Sequence, residues 1–103
     1  MIKVLAISGS LRQASTNTTL LRAACLLQPD GMKITLWQGV ANLPHFTPDL
    51  EDNVPAKAQA LRELVGLHDA LLVACPEYAR GIPGAFKNTL DWLVGGETFI
   101  NKK

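Results

Sequence analysis

The sequence predicts an α/β fold, a parallel β-sheet with helices on both faces. Three observations lead there. Residues 2–7 and 69–75 are nearly continuous apolar runs, as expected of strands buried on both sides. Segments with apolar residues at helical spacing stand between and after the strands. Gly and Pro clusters punctuate the change from one type to the other, so the order reads βαβαβα.

The first strand is Ile2 to Ile7, which stops at the polar stretch beginning Ser8-Gly9-Ser10. A helix over Asn17 to Gln28 places Leu20, Ala24 and Leu27 along one side, the side expected to face the core. Pro29-Asp30-Gly31 is a turn signal that ends it. Met32 to Trp37 alternates well enough for a shorter, less buried strand. Residues Gln38 to Val54 carry Gly39, Pro44, Pro48 and several acids, and read as a long loop. Pro55 suits the first turn of a second helix, whose buried face is Ala58, Leu61 and Val65. Asp69 to Cys75 is the third strand, Pro76 to Pro83 a loop. Gly84 to Val94 is a third helix with Phe86, Leu90 and Leu93 on one side. No repeat or low-complexity tract interrupts this pattern.

At 103 residues, 48% hydrophobic and 18% charged, the chain makes one globular domain at most. Ten Lys/Arg against nine Asp/Glu leave a net charge of +1, too even for a nucleic-acid or anionic-membrane surface. No apolar run approaches the roughly 18 residues of a membrane span. The opening MIKVLAISGS has an apolar run too short for a signal peptide, and its Gly-Ser break suits a strand end. Cys25 and Cys75 form no CxxC pair; they read as free, buried thiols in a reducing compartment, so a cytoplasmic location is expected. His45 and His68 lack companions at ligand spacing, and no metal site is expected.

In open parallel sheets ligands bind beyond the carboxyl ends of the strands, where the strand order reverses. Two polar loops lie at that end, GSLRQASTN after the first strand and PEYARGIPG after the third. In the first, Gly9 permits a sharp turn, and the helix that follows presents unpaired N–H groups and the positive end of its dipole. Ser10, Ser15, Thr16 and Thr18 offer hydroxyls, Asn17 an amide, and Arg12 a planar charged fork suited to phosphate oxygens. The loop lacks both GxxxxGK[ST] and GxGxxG, so a terminal monophosphate suits it better than a pyrophosphate. Helix capping by one of Ser15, Thr16 or Asn17 is the plainer alternative, and at this point both stand. In the second loop, Tyr78 can cover an aromatic ligand and Gly81 and Gly84 shape the backbone around Ile82-Pro83. A loop-packing Tyr78 with solvated Glu77 and Arg80 is the alternative there.

GSLRQASTN followed by PEYARGIPGAFKNTLDWLVG resembles the NADPH-dependent FMN reductase family, the flavodoxin-like group that includes quinone, azo-dye and chromate reductases. The family pattern is roughly GSLR-x-x-S-x-N in the first loop and PEY-N-x-x-x-PG-x-x-KN-x-x-DW in the third. The resemblance runs over essentially the whole chain, 1–103. It implies a flavodoxin-like three-layer sandwich, FMN as cofactor and NADPH or NADH as co-substrate. Electrons would pass to a small-molecule acceptor such as a quinone or free flavin. It implies no catalytic acid or base, since the flavin carries the chemistry. Ser10, Leu11, Arg12, Ser15, Thr16, Asn17 and Thr18 would hold the FMN phosphate. Pro76, Glu77, Tyr78, Ala79 and Gly81 would line the isoalloxazine ring. Asp91 and Trp92 are expected to be structural, and a homo-oligomer, dimer or tetramer, is implied. Ala79 stands where the family often has Asn, and Arg80 is bulkier than many residues there; both are expected to tune rather than abolish the site.

A flavodoxin-like sheet has five strands in order 2-1-3-4-5. This sequence stops after TFINKK, so the expected sheet is 2-1-3, without the fourth and fifth strands and with DALLVAC on its edge. Such an edge is one that proteins usually cover. Three situations are compatible with it: a truncated product, a short form that pairs with another subunit, or a chain that retains no flavin. Beside the reductase, a non-enzymatic FMN-binding or electron-carrier protein and an inactive remnant therefore remain as alternatives.

Overall fold

The computed structural model describes residues 1–11, 16–76, 81 and 83–95. The elements are β1 (Ile2–Ser8), α1 (Thr16–Leu26), β2 (Met32–Trp37), α2 (Ala56–Gly66), β3 (Ala70–Ala74) and α3 (Gly84–Val94). The loop between β2 and α2 is not structureless, as it holds two 3₁₀ turns, Val40–Asn42 and Pro48–Asn53. Pro55 precedes α2 rather than opening it: its ψ is 148°, and its carbonyl accepts from the Gln59 N–H at 3.0 Å.

The sheet is parallel with order β2-β1-β3. β1 is central, which explains its composition: Leu5, Ala6 and Ile7 are almost wholly buried. In a strand, alternate side chains face opposite sides. Leu5 and Ile7 face one layer, where they cluster with Leu61 and Val65 of α2 and with Phe86 and Leu93 of α3. The opposite face carries Ser8, whose hydroxyl meets Thr18 of α1 at 2.7 Å. Three layers result, with α2 and α3 on one side and α1 on the other. The turn at Gly31 adopts φ 82° and passes its carbonyl to the Ile2 N–H at 2.8 Å, which ties the entry of β2 to β1.

The long loop is fastened to the helices by two knots. Arg62 of α2 is buried; its Nε donates to the Trp92 carbonyl at 2.7 Å and its Nη2 pairs with Glu51 Oε1 at 2.8 Å. Asn88 of α3 accepts from the Phe46 N–H at 2.7 Å and donates to the Pro44 carbonyl at 3.0 Å. Trp92 donates to the same carbonyl at 2.8 Å and receives Phe46 edge-on at 5.0 Å. Asp91 pairs with Lys87 on the helix surface. In KNTLDW, then, Asn88 and Trp92 clamp the loop, and Asp91 contributes a solvent-facing pair.

Two further expectations need correction. The Leu20, Ala24 and Leu27 stripe of α1 does not face a core: Leu20 and Leu27 are 62% and 81% exposed, whereas Thr18 and Leu21 are buried. The stripe borders an apolar groove beside β3, where Leu72 and Val73 are also exposed. β3 is the edge of the sheet, and among the described residues no strand lies beyond it for the stripe to pack on. The two thiols, Cys25 and Cys75, are free but half-buried rather than buried.

Candidate functional site

The carboxyl ends of β1 and β3 meet closely. Ser8 registers with Ala74, and the Gly9 N–H donates to the Ala74 carbonyl at 2.9 Å. A Cβ on Gly9 would overlap Cys75 Cβ and stand 3.2 Å from Phe86 Cγ, so only glycine fits where the two polar loops depart. The starts of both loops are thus side by side, as the parallel topology requires.

Beside this junction is a cavity of about 230 Å³. Ser8, Ser10 and Thr18 give it hydroxyls, Gln38 an amide, and Leu11, Val40 and Ala41 apolar walls. The Ser8–Thr18 hydroxyl bond fixes α1 against β1, and the Ser10 N–H approaches Ser8 Oγ at 3.4 Å. Gln38 receives the Arg22 guanidinium at 3.4 Å. The cavity lies at the first turn of α1, which contains no acidic residue. A second cavity of about 420 Å³ shares Leu11, Val40 and Ala41 with the first and extends to Leu43, His45 and the start of α3 at Gly84, Ala85 and Asn88. No carboxylate lines either one among the described residues. Helix N-terminal N–H groups, hydroxyls and an absence of negative charge suit an anion at the first cavity. The second offers apolar walls for a larger body attached to it.

Of the residues expected to bind, Ser10 is half-buried and Leu11 exposed, and both line the first cavity. Thr18 lines it from a buried position. Thr16 is exposed and Asn17 half-buried in the first turn of α1, though neither lines the cavity. Pro76 is half-buried just after β3 and Gly81 is exposed. Arg12, Ser15, Glu77, Tyr78 and Ala79 lie outside the described residues. Sequence reasoning missed Ser8, Gln38, Val40 and Ala41. Ser8 reads as the opening of the polar stretch after Ile7, whereas it is the last residue of β1. The other three follow β2, and the rule that placed the first and third loops at the carboxyl end of the sheet places theirs there too.

Among the described residues no group of three or more His, Cys, Asp or Glu could hold a metal ion, and no helix is long and apolar enough to cross a membrane. His45 sits in a loop, and His68 bonds through Nδ1 to the Leu64 carbonyl at the end of α2 at 2.7 Å.

Comparison with known proteins agrees with this geometry. The model of a family described as NADPH-dependent FMN reductase matches residues 2–103. An NAD(P)H-dependent FMN reductase of Pseudomonas aeruginosa is 41% identical over 92 residues, which are 88% of this chain and 49% of that protein. A quinone reductase of Escherichia coli K12 is 32% identical over 94 residues, 89% of this chain and 50% of its own length. The solved structure of FerB, a flavoenzyme NAD(P)H:(acceptor) oxidoreductase from Paracoccus denitrificans, superposes with a TM-score of 0.88 at 30% identity. That superposition covers 99% of this chain and 57% of FerB. The chain spans about half the length of the curated relatives it matches.

Proposed function

The chain belongs to the NADPH-dependent FMN reductase family, and on that premise we propose that it binds FMN and serves NAD(P)H-dependent reduction of a small acceptor such as a quinone. The observation that supports this most is the hydroxyl-walled cavity at the start of α1, which no carboxylate lines among the described residues. A phosphate there accepts from the N–H groups of the first turn and is favoured by the helix dipole. Ser8 and Thr18 hold the wall in place, and Ser10 lies within reach of the anion. Arg12, Ser15, Thr16 and Asn17 complete the cradle in this proposal, with Arg12 supplying the fixed charge. Leu11, Val40, Ala41 and Leu43 present apolar surface along the adjoining cavity and limit water there. Pro76, Glu77, Tyr78, Ala79 and Gly81 form the wall nearest the ring.

FMN, when bound, supplies hydride acceptance and electron transfer; the residues of the chain bind, orient and shield it. No protein acid or base is assigned. The relatives' names point to quinones or flavins as acceptors. A cytoplasmic setting and a homo-oligomer are carried with the same proposal.

The test is NADPH oxidation by the purified 103-residue chain, with and without added FMN and a soluble quinone. Oxidation that requires both chain and FMN, and that accelerates with quinone, supports a reductase. Saturable FMN binding without NADPH oxidation selects a non-enzymatic flavin carrier instead.

A further inference from the structure

A third cavity, of about 390 Å³, lies on the far side of the Val40–Asn42 turn, between the end of β2 and α2. Val40 and Ala41 face the phosphate-side cavity, while Trp37, Gly39 and Asn42 face this one, so the turn is a partition between two separate spaces. Leu43, Leu61 and Leu64 make it apolar. Its aromatic wall is held in position: a Cβ at Gly39 would stand 2.5 Å from Trp37 Cζ2, so the indole packs directly on the backbone. The family chemistry above makes no use of this space.

Among the described residues, the one charged side chain that lines it is a lysine. Lys57 lines the cavity and forms no ion pair or hydrogen bond among the described residues. The residues three and four positions away on the chain are Asn53, Val54, Ala60 and Leu61, none of them acidic. Of the acids in the adjoining segments, Glu51 is paired with Arg62 and Glu63 accepts from Gln59 at 3.3 Å, and neither Asp49 nor Asp52 lines the cavity. Asn42 adds an amide. Concave sites of this size with apolar walls and a few polar groups at one end are typical small-molecule sites.

We propose that this cavity binds a small aromatic carboxylate, its ring against Trp37 and the leucines and its charge at Lys57. The ring gains apolar burial and stacking. The carboxylate remains at the solvent edge, where an ammonium meets it without full desolvation. A neutral ring lacks that contact, and inorganic phosphate lacks an apolar body to fill the floor.

The test is a ¹H–¹⁵N NMR titration of the 103-residue chain with 2-naphthoate, with neutral 2-naphthylmethanol in parallel. Saturable shifts of the Trp37 indole N–H and the Leu61 and Leu64 amides are expected. Lys57→Gln should weaken naphthoate about three- to fivefold, as for a partly exposed charge pair, and leave naphthylmethanol unchanged. Ala60→Phe, at an exposed rim position, should fill the space and abolish both sets of shifts. The proposal is overturned by an absence of saturable shifts at these residues, by shifts centred on Ser10 and Leu11 or on α1 and β3, or by equal affinity for both compounds that Lys57→Gln does not alter.

Discussion

Replacing Gly9 with alanine tests whether the junction of β1 and β3 is as tight as the structure shows. The new Cβ overlaps Cys75 Cβ and lies 3.2 and 3.3 Å from Phe86 Cγ and Cβ. None of these atoms is the free end of a flexible chain. Cys75 Cβ is fixed to the backbone just after β3, and Phe86 is 5% exposed within the core. Relief therefore requires the strand ends to separate, at the expense of the 2.9 Å Gly9–Ala74 hydrogen bond. Overpacking of this kind costs about 1–3 kcal/mol, and the rigidity of the neighbours puts Gly9→Ala at about 2 kcal/mol or above. For a domain of this size that is a fall in Tm of roughly 8–16 °C. Urea unfolding followed by circular dichroism measures it. The double variant Gly9→Ala/Cys75→Gly, which removes the overlapped atom, should recover about 1 kcal/mol relative to the sum of the single changes. A loss below about 0.5 kcal/mol for Gly9→Ala, or strict additivity with Cys75→Gly, would refute the close approach.

Other changes separate the remaining structural claims. Leu21→Ala should cost about 2–5 kcal/mol, while Leu20→Ala and Leu27→Ala stay within about 0.5 kcal/mol, because only Leu21 is buried; thermal melts of the three variants decide this. Arg62→Leu should cost about 2–4 kcal/mol through an unpaired Glu51 and an unsatisfied Trp92 carbonyl. Glu51→Gln, at the more exposed partner, should cost less than about 1 kcal/mol in the same unfolding assay. Asn88→Ala should lose about 1–3 kcal/mol and release the Phe46 amide; hydrogen exchange at Phe46, faster in the variant than in the parent, shows the release directly.

Much of the fold is legible in the sequence because its strands differ in burial. The apolar run of β1 suits its central place and the weaker alternation of Met32–Trp37 a strand that is less covered, whereas the equally apolar run of β3 lies on the sheet edge with Leu72 and Val73 exposed. Gly and Pro placed the limits of α3 correctly. The α1 face was not legible, since periodicity shows which residues share a side but not whether anything lies opposite. Leu20 and Leu27 are spaced as core residues beside a β3 edge that leaves them exposed. In the candidate site, the glycine and hydroxyls before and within the start of α1 pointed to the region of the first cavity, which Ser10, Leu11 and Thr18 line. Val40 and Ala41 carry no chemistry of their own and become walls only because β2 ends beside β1. Asn88 acts on Pro44 and Phe46 across more than forty residues, a relation that local spacing cannot express.

The claim that the start of α1 is built for the phosphate of FMN is tested most directly by calorimetric titration of the folded 103-residue chain with FMN and with riboflavin, which lacks the phosphate. Charge-assisted hydrogen bonds to a phosphate contribute about 1.5–3 kcal/mol, so FMN should bind roughly 10- to 100-fold more tightly than riboflavin. Arg12→Ala should remove most of that difference. Equal affinity for the two flavins, or no binding of FMN by a folded chain, would contradict it.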